Sequence, residues 1–444
     1  MTAKYQERDP FASEAFKSLK QFVESAGAVD GEASFEEFER ELHHRRKDSY
    51  EKKYYGLSGE LVVNRAIYVP RGDVGRSIVP LDLRAGMVEG TWTPLAARVM
   101  ARTVASTTPK EAAEIFEEFG GLTPSTSSLD RLPKRLSEMW EIQREAFEQE
   151  LRSQEQVPAE AVSVGVSIDG VLIPMKDKAE AENKASEAAD DGKKTRGPRD
   201  YREAACGTLT FYDADGERIE TTRYARMPEA KKVTLKSQLE AELRSVLAVR
   251  PDLIVVGLAD GAPDNWEFLW ELRDRLGIED FREAVDNFHV LDRIMKALKA
   301  YHGEGTTAAK IAFQECRTWL REEDDGADRV LRALRYRRDR TRGAKRKTIV
   351  EQITYLENRK RNEHLRYKEL LDDNLPIGSG VVEAACKTLV AQRLTCSGMS
   401  WRDAAGILTL RSLIQSNRWD LGWRLVSGSY RAEVEITQHC KRVA

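Results

Sequence analysis

Long apolar runs are missing from this 444-residue chain. No stretch of eighteen or more apolar residues occurs, so no conventional membrane-spanning helix is expected. The opening segment, MTAKYQERDPFASEAFKSLK, has no apolar centre followed by a cleavage site, which argues against a secretory signal. Cysteine is scarce: Cys206, Cys316, Cys386, Cys396 and Cys440 are odd in number, scattered and without CxxC spacing. That excludes a disulfide framework and a cysteine zinc site, and fits free buried thiols in a reducing cytoplasm. Net charge is nearly absent too, at −3, although 33% of the residues are charged. A near-neutral total argues weakly against nucleic acid, but the charge is unevenly spread. Between Arg329 and Lys347 ten of nineteen residues are Arg or Lys, and Asp339 is the sole acid. Such a patch can hold phosphates through local field and counterion release, or it can be a solvated helix face.

What is present reads as several stretches. Residues 1–60 carry Phe35, Phe38 and Leu42 at helical spacing, and a helical N-terminal segment is expected. Residues 61–155 read as a small β segment, with short strands around a turn at Arg71–Asp73, followed by helices. Thr108 and Pro109 open one of these helices as N-cap and first residue, and a glycine ends it. A second follows Pro124, with Pro133 expected to break or bend it. The pair resembles a helix-turn-helix that could bind DNA ends, or a plain helical domain.

Over residues 156–290 the pattern changes. Val162, Val164, Val166 and Ile168 alternate with small residues as in a half-buried strand, leaving Asp169 on the opposite face with Ser163, Gly165 and Ser167. Residues 176–200 are charged and Ala-rich and read as a mobile loop. Strands at 203–212 and 218–224 flank a turn at Asp213–Gly216. A helix at 231–249, an apolar strand at 252–258, a helix at 265–276 and a strand at 283–288 follow. Residues 291–372 read as a helical basic insertion, and 373–444 as the last part of the core with C-terminal helices, the first beginning after Pro376–Gly380. Three antiparallel strands, helix, strand, helix, strand, helical block and helix is an RNase H-like order. The expected fold is therefore α/β, an RNase H-like mixed sheet flanked by helices.

In that order Asp169 lies on the first strand, Asp260 just past the fourth, and Glu383 in the first turn of the last helix. Phosphoryl transfer on DNA asks little covalent chemistry of a protein; it asks for two Mg²⁺ ions roughly 3.5–4 Å apart, held by hard oxygen ligands. Three acids in the order D–D–E are common among 74 Asp and Glu residues, and each could instead be a turn or cap carboxylate. Their placement on neighbouring elements is what singles them out.

The C-terminal run IGSGVVEAACKTLVAQRLTCSGMSWRDAAGILTLRSLIQSNRWDLGW is very similar to the end of the bacterial ISKra family of insertion-sequence transposases. VSIDGVLIPM, CGTLTFYDADGERIETTRYARMPE, LADGAPDNWEFLW and VDNFHVLDRI resemble the same family, and together the blocks cover most of residues 161–425. The resemblance implies that Asp169, Asp260 and Glu383 are catalytic, metal-binding DDE residues, with Mg²⁺ as cofactor and Mn²⁺ able to substitute. It also implies transposon-end and target DNA as partners, a homo-oligomer on that DNA, and a cytoplasmic, nucleoid-associated location with no membrane partner. Asp286 and His289 match the D-x-x-H motif of related DDE transposases. His289 could orient the scissile phosphate or water, or close the core behind the site. Ser379, between Gly378 and Gly380, could approach a phosphate, or simply form the loop before the helix.

Lys387, one turn beyond Glu383, is a candidate phosphate contact. Trp266 and Trp401 could stack on an unpaired base, with buried packing the simpler reading for both. Arg337, Arg338, Arg340, Lys345, Arg346 and Lys347 are the DNA-binding candidates of the basic segment. Many members of the family carry N-terminal cysteine pairs suggestive of a zinc ribbon; the stretch from Tyr68 to Pro80 has none, so zinc-dependent DNA binding is not carried over. The expected activity is Mg-dependent strand cleavage and strand transfer at insertion-sequence ends. The alternatives are a silent or domesticated copy that only binds DNA, and an RNase H-like nuclease acting on RNA or junctions.

Overall fold

The computed structural model describes residues 33–34, 44–70, 77–175, 200–395, 401–431 and 435–436. The chain forms two compact units, one of residues 1–151 and 417–444, the other of residues 152–416. The last stretch of the chain, expected to belong with the core from residue 373 onward, is thus divided at residue 417.

The first unit opens with a hairpin, β1 (His44–Gly56) against β2 (Gly59–Pro70), in antiparallel register from His44↔Pro70 to Gly56↔Gly59. This corrects the helical expectation for the end of the 1–60 segment; Phe35, Phe38 and Leu42 lie outside the described residues. The signal was weak for a physical reason. Between Lys47 and Gly56 only Tyr54 and Gly56 are buried, so β1 carries almost no period-two apolar pattern of its own. β2 supplies it, with Leu61, Val63 and Arg65 inward and Val62 outward. Tyr54 and Arg65 both bond Asp82, which locks the hairpin to helix α1 (Pro80–Ala85). The expected turn at residues 71–73 lies outside the described residues; Tyr68 and Ile78 form an antiparallel bridge.

Helices α2 (Pro94–Ser106), α3 (Pro109–Phe119), α4 (Thr126–Ile142) and α5 (Arg144–Gln154) follow. Thr108 caps α3 in a reciprocal box with Glu111, and Gly120, at φ 69°, ends it. Pro133 sits inside α4 without ending it; the interruption comes at Gln143.

In the second unit a five-stranded mixed sheet runs in the order β5-β4-β3-β6-β7. Its strands are β3 (Ser163–Met175), β4 (Asp200–Tyr212), β5 (Arg218–Arg226), β6 (Ile254–Ala259) and β7 (Phe281–Val285). The first three are antiparallel neighbours, while β6 pairs parallel to β3 and β7 parallel to β6. Asp213 closes the β4–β5 turn by accepting from the backbone N–H groups of Asp215 and Glu217. The expected loop at 176–200 lies, apart from Asp200, outside the described residues.

Val164, Val166 and Ile168 of β3 are fully buried on one face, joining Val255, Leu258 and helix α6 (Val233–Val249) in the main core. Burial of each such side chain is worth about 1.5–3 kcal/mol. Ile173 of β3 and Cys206 of β4 belong to a second cluster with Val382, Ala385 and Leu389 from the last core helix. Helices thus cover both sides of the sheet, and Asp169 shares the strand face of Ile173.

Helix α7 (Pro263–Leu276) joins β6 to β7. After β7 come α8 (Asn287–His302), α9 (Thr307–Glu322), α10 (Gly326–Asp339), α11 (Gly343–Arg361) and α12 (Tyr367–Asp372), the helical insertion expected from the sequence. The strand expected at 283–288 ends earlier, because Asp286 caps α8. The chain returns to the sheet through α13 (Gly380–Ala385), extended by a π-helical turn at Cys386–Ala391. Helices α14 (Trp401–Gln415) and α15 (Trp419–Gly428) follow.

Candidate active site

β3 and β6 are parallel neighbours whose last paired rung is Ile168↔Ala259. Asp169 and Asp260 are the next residues on each chain, so the register sets their backbones side by side, about 4.8 Å apart by ordinary strand spacing. Asp169 accepts from the Gly170 N–H at 2.7 Å, and the Cys386 thiol lies 3.9 Å from its other oxygen. Burial holds the Asp169 carboxyl above its ordinary pKa; the Gly170 bond opposes this, the charges of Asp260 and Glu383 reinforce it, and His289 offsets them. Asp260 is fixed by the Ala262 N–H at 3.0 Å and the Asn265 amide at 3.1 Å, both to one carboxylate oxygen.

Glu383 stands in the first turn of α13, exposed, with Oε1 3.3 Å from His289 Nε2. Its position depends on Asp286. That side chain is fully buried; one oxygen caps α8 through the Phe288 and His289 N–H groups, and the other accepts from both the backbone N–H and the hydroxyl of Ser379. The Asp286 N–H in turn donates to Ala259 O at 3.0 Å. One buried residue thereby joins the end of β6, through its backbone, to the start of α8 and the loop that launches α13, through its carboxylate. Asp286 and Ser379 act through position, while His289 touches Glu383 itself.

The remaining candidates divide. Lys387 is exposed on the π-helical turn beyond Glu383. Trp266 is 1% exposed, donates its indole N–H to Asp260 O at 2.7 Å and stacks on His364 with centroids 3.7 Å apart. The packing alternative describes it, and its ring is not presented to a base. The side chain of Trp401 lies outside the described residues. Arg337 bonds His302 and Ala333 O, and Arg338 pairs with Asp339. Arg340 lies over the exposed Tyr336 ring, and Lys345, Arg346 and Lys347 are exposed at the start of α11. Among the described residues none of these last four pairs with a carboxylate.

Two residues near Asp260 escaped the reading of the sequence. Asn265 holds Asp260, and its own oxygen accepts from Lys232 Nζ at 3.2 Å. Lys232, which also pairs with Glu203 at 2.8 Å, has a left-handed backbone, φ 55°, directly after Lys231 at φ 57°. Two successive non-glycine residues in that region are uncommon, and such strain gathers at functional sites. No local motif announces it, since Lys232 and Asn265 stand at the starts of two different helices and meet only in the folded chain.

A Mg²⁺ site can be tested on the donor set. Among the described residues no group of three or more His, Cys, Asp or Glu side chains is gathered closely enough to hold a metal ion. Mg²⁺ does not need a cage: it keeps several waters and is held by one or two carboxylates together with substrate phosphates. Asp169 and Asp260 are hard oxygen donors at the ends of adjacent paired strands, and the Glu383 charge acts on Asp169. The donor chemistry is of the kind Mg²⁺ takes.

No protein-family model and no curated protein sequence matches the chain. Among solved structures it is similar to the Drosophila P element transposase strand transfer complex, at 12% identity over 77% of this chain and 81% of that one, with a TM-score of 0.25. It is also similar to the Mos1 transposase paired-end complex with left transposon end, at 15% identity over 64% of this chain and 79% of that one, with a TM-score of 0.18.

Proposed function

We propose that this chain is a DDE-type transposase with an RNase H-like core, cutting and joining DNA with Asp169, Asp260 and Glu383 as its catalytic carboxylates. The observation that carries the reading is the register: the Ile168↔Ala259 rung is followed on both strands by an acid, and the Glu383 charge acts on Asp169 from the last core helix. The sheet order β5-β4-β3-β6-β7, with helices on both faces and a helical insertion before α13, supports the RNase H-like order expected from the sequence.

Mg²⁺, when bound, would supply charge neutralisation at the attacking and leaving oxygens. Asp169 and Asp260 would hold it, with Glu383 completing the set. Asn265 and the Ala262 N–H keep Asp260 aimed, and Asp286 keeps α8 and α13 in register. His289, at hydrogen-bond range of Glu383, can hold a proton or orient a phosphate oxygen there. Transposon ends and target DNA are the substrates of this reading, and a homo-oligomer on DNA belongs to it.

The test uses duplex DNA taken from either side of the coding sequence and searched for matched inverted repeats, with a scrambled duplex as control. Purified chain and Mg²⁺ should nick at the repeat boundary and join the released end to a second duplex. Specific binding without cutting would instead support the silent, DNA-binding alternative.

A further inference from the structure

Tyr355 projects from α11 with two guanidinium groups on its ring: Arg293 of α8, its Cζ 4.8 Å from the ring centroid, and Arg359 of α11, at 5.2 Å. Arg359 Nη2 donates to Gly261 O at 2.7 Å, on the residue next to Asp260. Gly261 permits this approach, because a Cβ there would stand 2.9 Å from Tyr355 Cε2 and 3.4 Å from Arg359 Nη2. Arg293 lies one turn after His289 on the same face of α8, and His289 bonds Glu383. The helical insertion therefore brings two cations to the edge of the carboxylate site.

Neither cation is neutralised. Among the described residues neither arginine pairs with a carboxylate; Arg293 is exposed and reaches only Gln352 Oε1, at 3.4 Å. Arg359 Nε is buried without a hydrogen-bond partner. Two like charges on one ring repel unless an anion stands between them, and guanidinium is the side chain best matched to phosphate oxygens. Burial holds the Tyr355 hydroxyl above its ordinary pKa in spite of both guanidinium charges, so the phenol stays a donor near neutral pH.

We propose that Arg293 and Arg359, stacked on Tyr355, form a clamp for a backbone phosphate of the DNA beside Asp260, so that the helical insertion supplies the cationic wall of the cleavage site. The inference rests on the transposase reading and adds to it the residues that position the strand. Arg359 also tethers the Gly261 carbonyl, so the exposed Arg293 is the cleaner position to vary.

The experiment measures binding of the repeat-bearing duplex across a salt series, and its single-turnover cleavage with Mg²⁺, for the full chain and for Arg293→Gln, Arg293→Lys and Asp260→Asn. Arg293→Gln should make the negative slope of log affinity against log salt shallower by about 1 and slow cleavage by roughly ten- to a hundredfold. Arg293→Lys should restore the slope, since the charge returns, but only part of the rate. Wild-type slope and rate in Arg293→Gln would overturn the clamp while leaving the transposase reading intact, provided that Asp260→Asn no longer cuts. If the unaltered chain neither binds nor cuts the duplex, both readings fall.

Discussion

Asp286 carries more of the site than any other single residue, because every acceptor position it offers is taken by backbone or hydroxyl donors from two separate segments. Asp286→Ala would leave those donors buried and unpaired and would remove the α8 cap. A loss of about 1–3 kcal/mol in urea unfolding is expected, together with weaker cleavage. Asp169 behaves oppositely. Its folded pKa is raised, chiefly by burial, so its contribution to stability is present below the ordinary carboxylate range and is lost as pH rises through the folded value. Asp169→Asn should therefore melt no lower than the unaltered chain at neutral pH without divalent cations, while abolishing cleavage; thermal unfolding against pH checks the sign. Glu283 gives the reverse case. Burial alone would raise its pKa, but hydrogen bonds from His364 and Trp270 and the charge of Arg273 outweigh that and lower it. Its contribution is present above the ordinary carboxylate range and lost as pH falls below it, so Glu283→Gln should flatten the acid side of the stability curve.

At the scale of elements, β3 was legible because its alternation is strict, and the Asp213–Gly216 turn and the Thr108 cap because their chemistry is local. β1 was not, since the buried side chains of the hairpin belong mostly to its partner strand. Asp286 could be located but not its role, which comes from a backbone bond to β6 and a distant hydroxyl. Lys232 and Asn265 were invisible for the same reason, as was the divided use of the basic segment. That segment now narrows to the α10–α11 turn. Arg337 and Arg338 are engaged within the fold, whereas Arg340, Lys345, Arg346 and Lys347 are exposed and, among the described residues, form no salt bridge with a carboxylate. Replacing the last four by Gln should reduce the salt slope of DNA binding by about 0.9 for each phosphate no longer neutralised, and the Arg337 and Arg338 replacements should change it less. Equal effects from both sets would return the turn to the solvated-face reading.

For the whole molecule, the division into residues 1–151 with 417–444 and residues 152–416 predicts calorimetric unfolding in more than one transition, with Asp286→Ala lowering only the one that belongs to the second unit. No helix among the described residues is long and apolar enough to cross a membrane. The three carboxylates come from one strand, the end of another and the last core helix, so the site exists only when residues 152–416 are folded together. The central claim is that these three side chains perform one reaction. Single-turnover cleavage of the repeat-bearing duplex in Mg²⁺ by Asp169→Asn, Asp260→Asn and Glu383→Gln tests it most directly. Each variant should bind the duplex with near-normal affinity and cut it at least about a hundredfold more slowly. Cutting at the unaltered rate by any one of them would contradict the assignment.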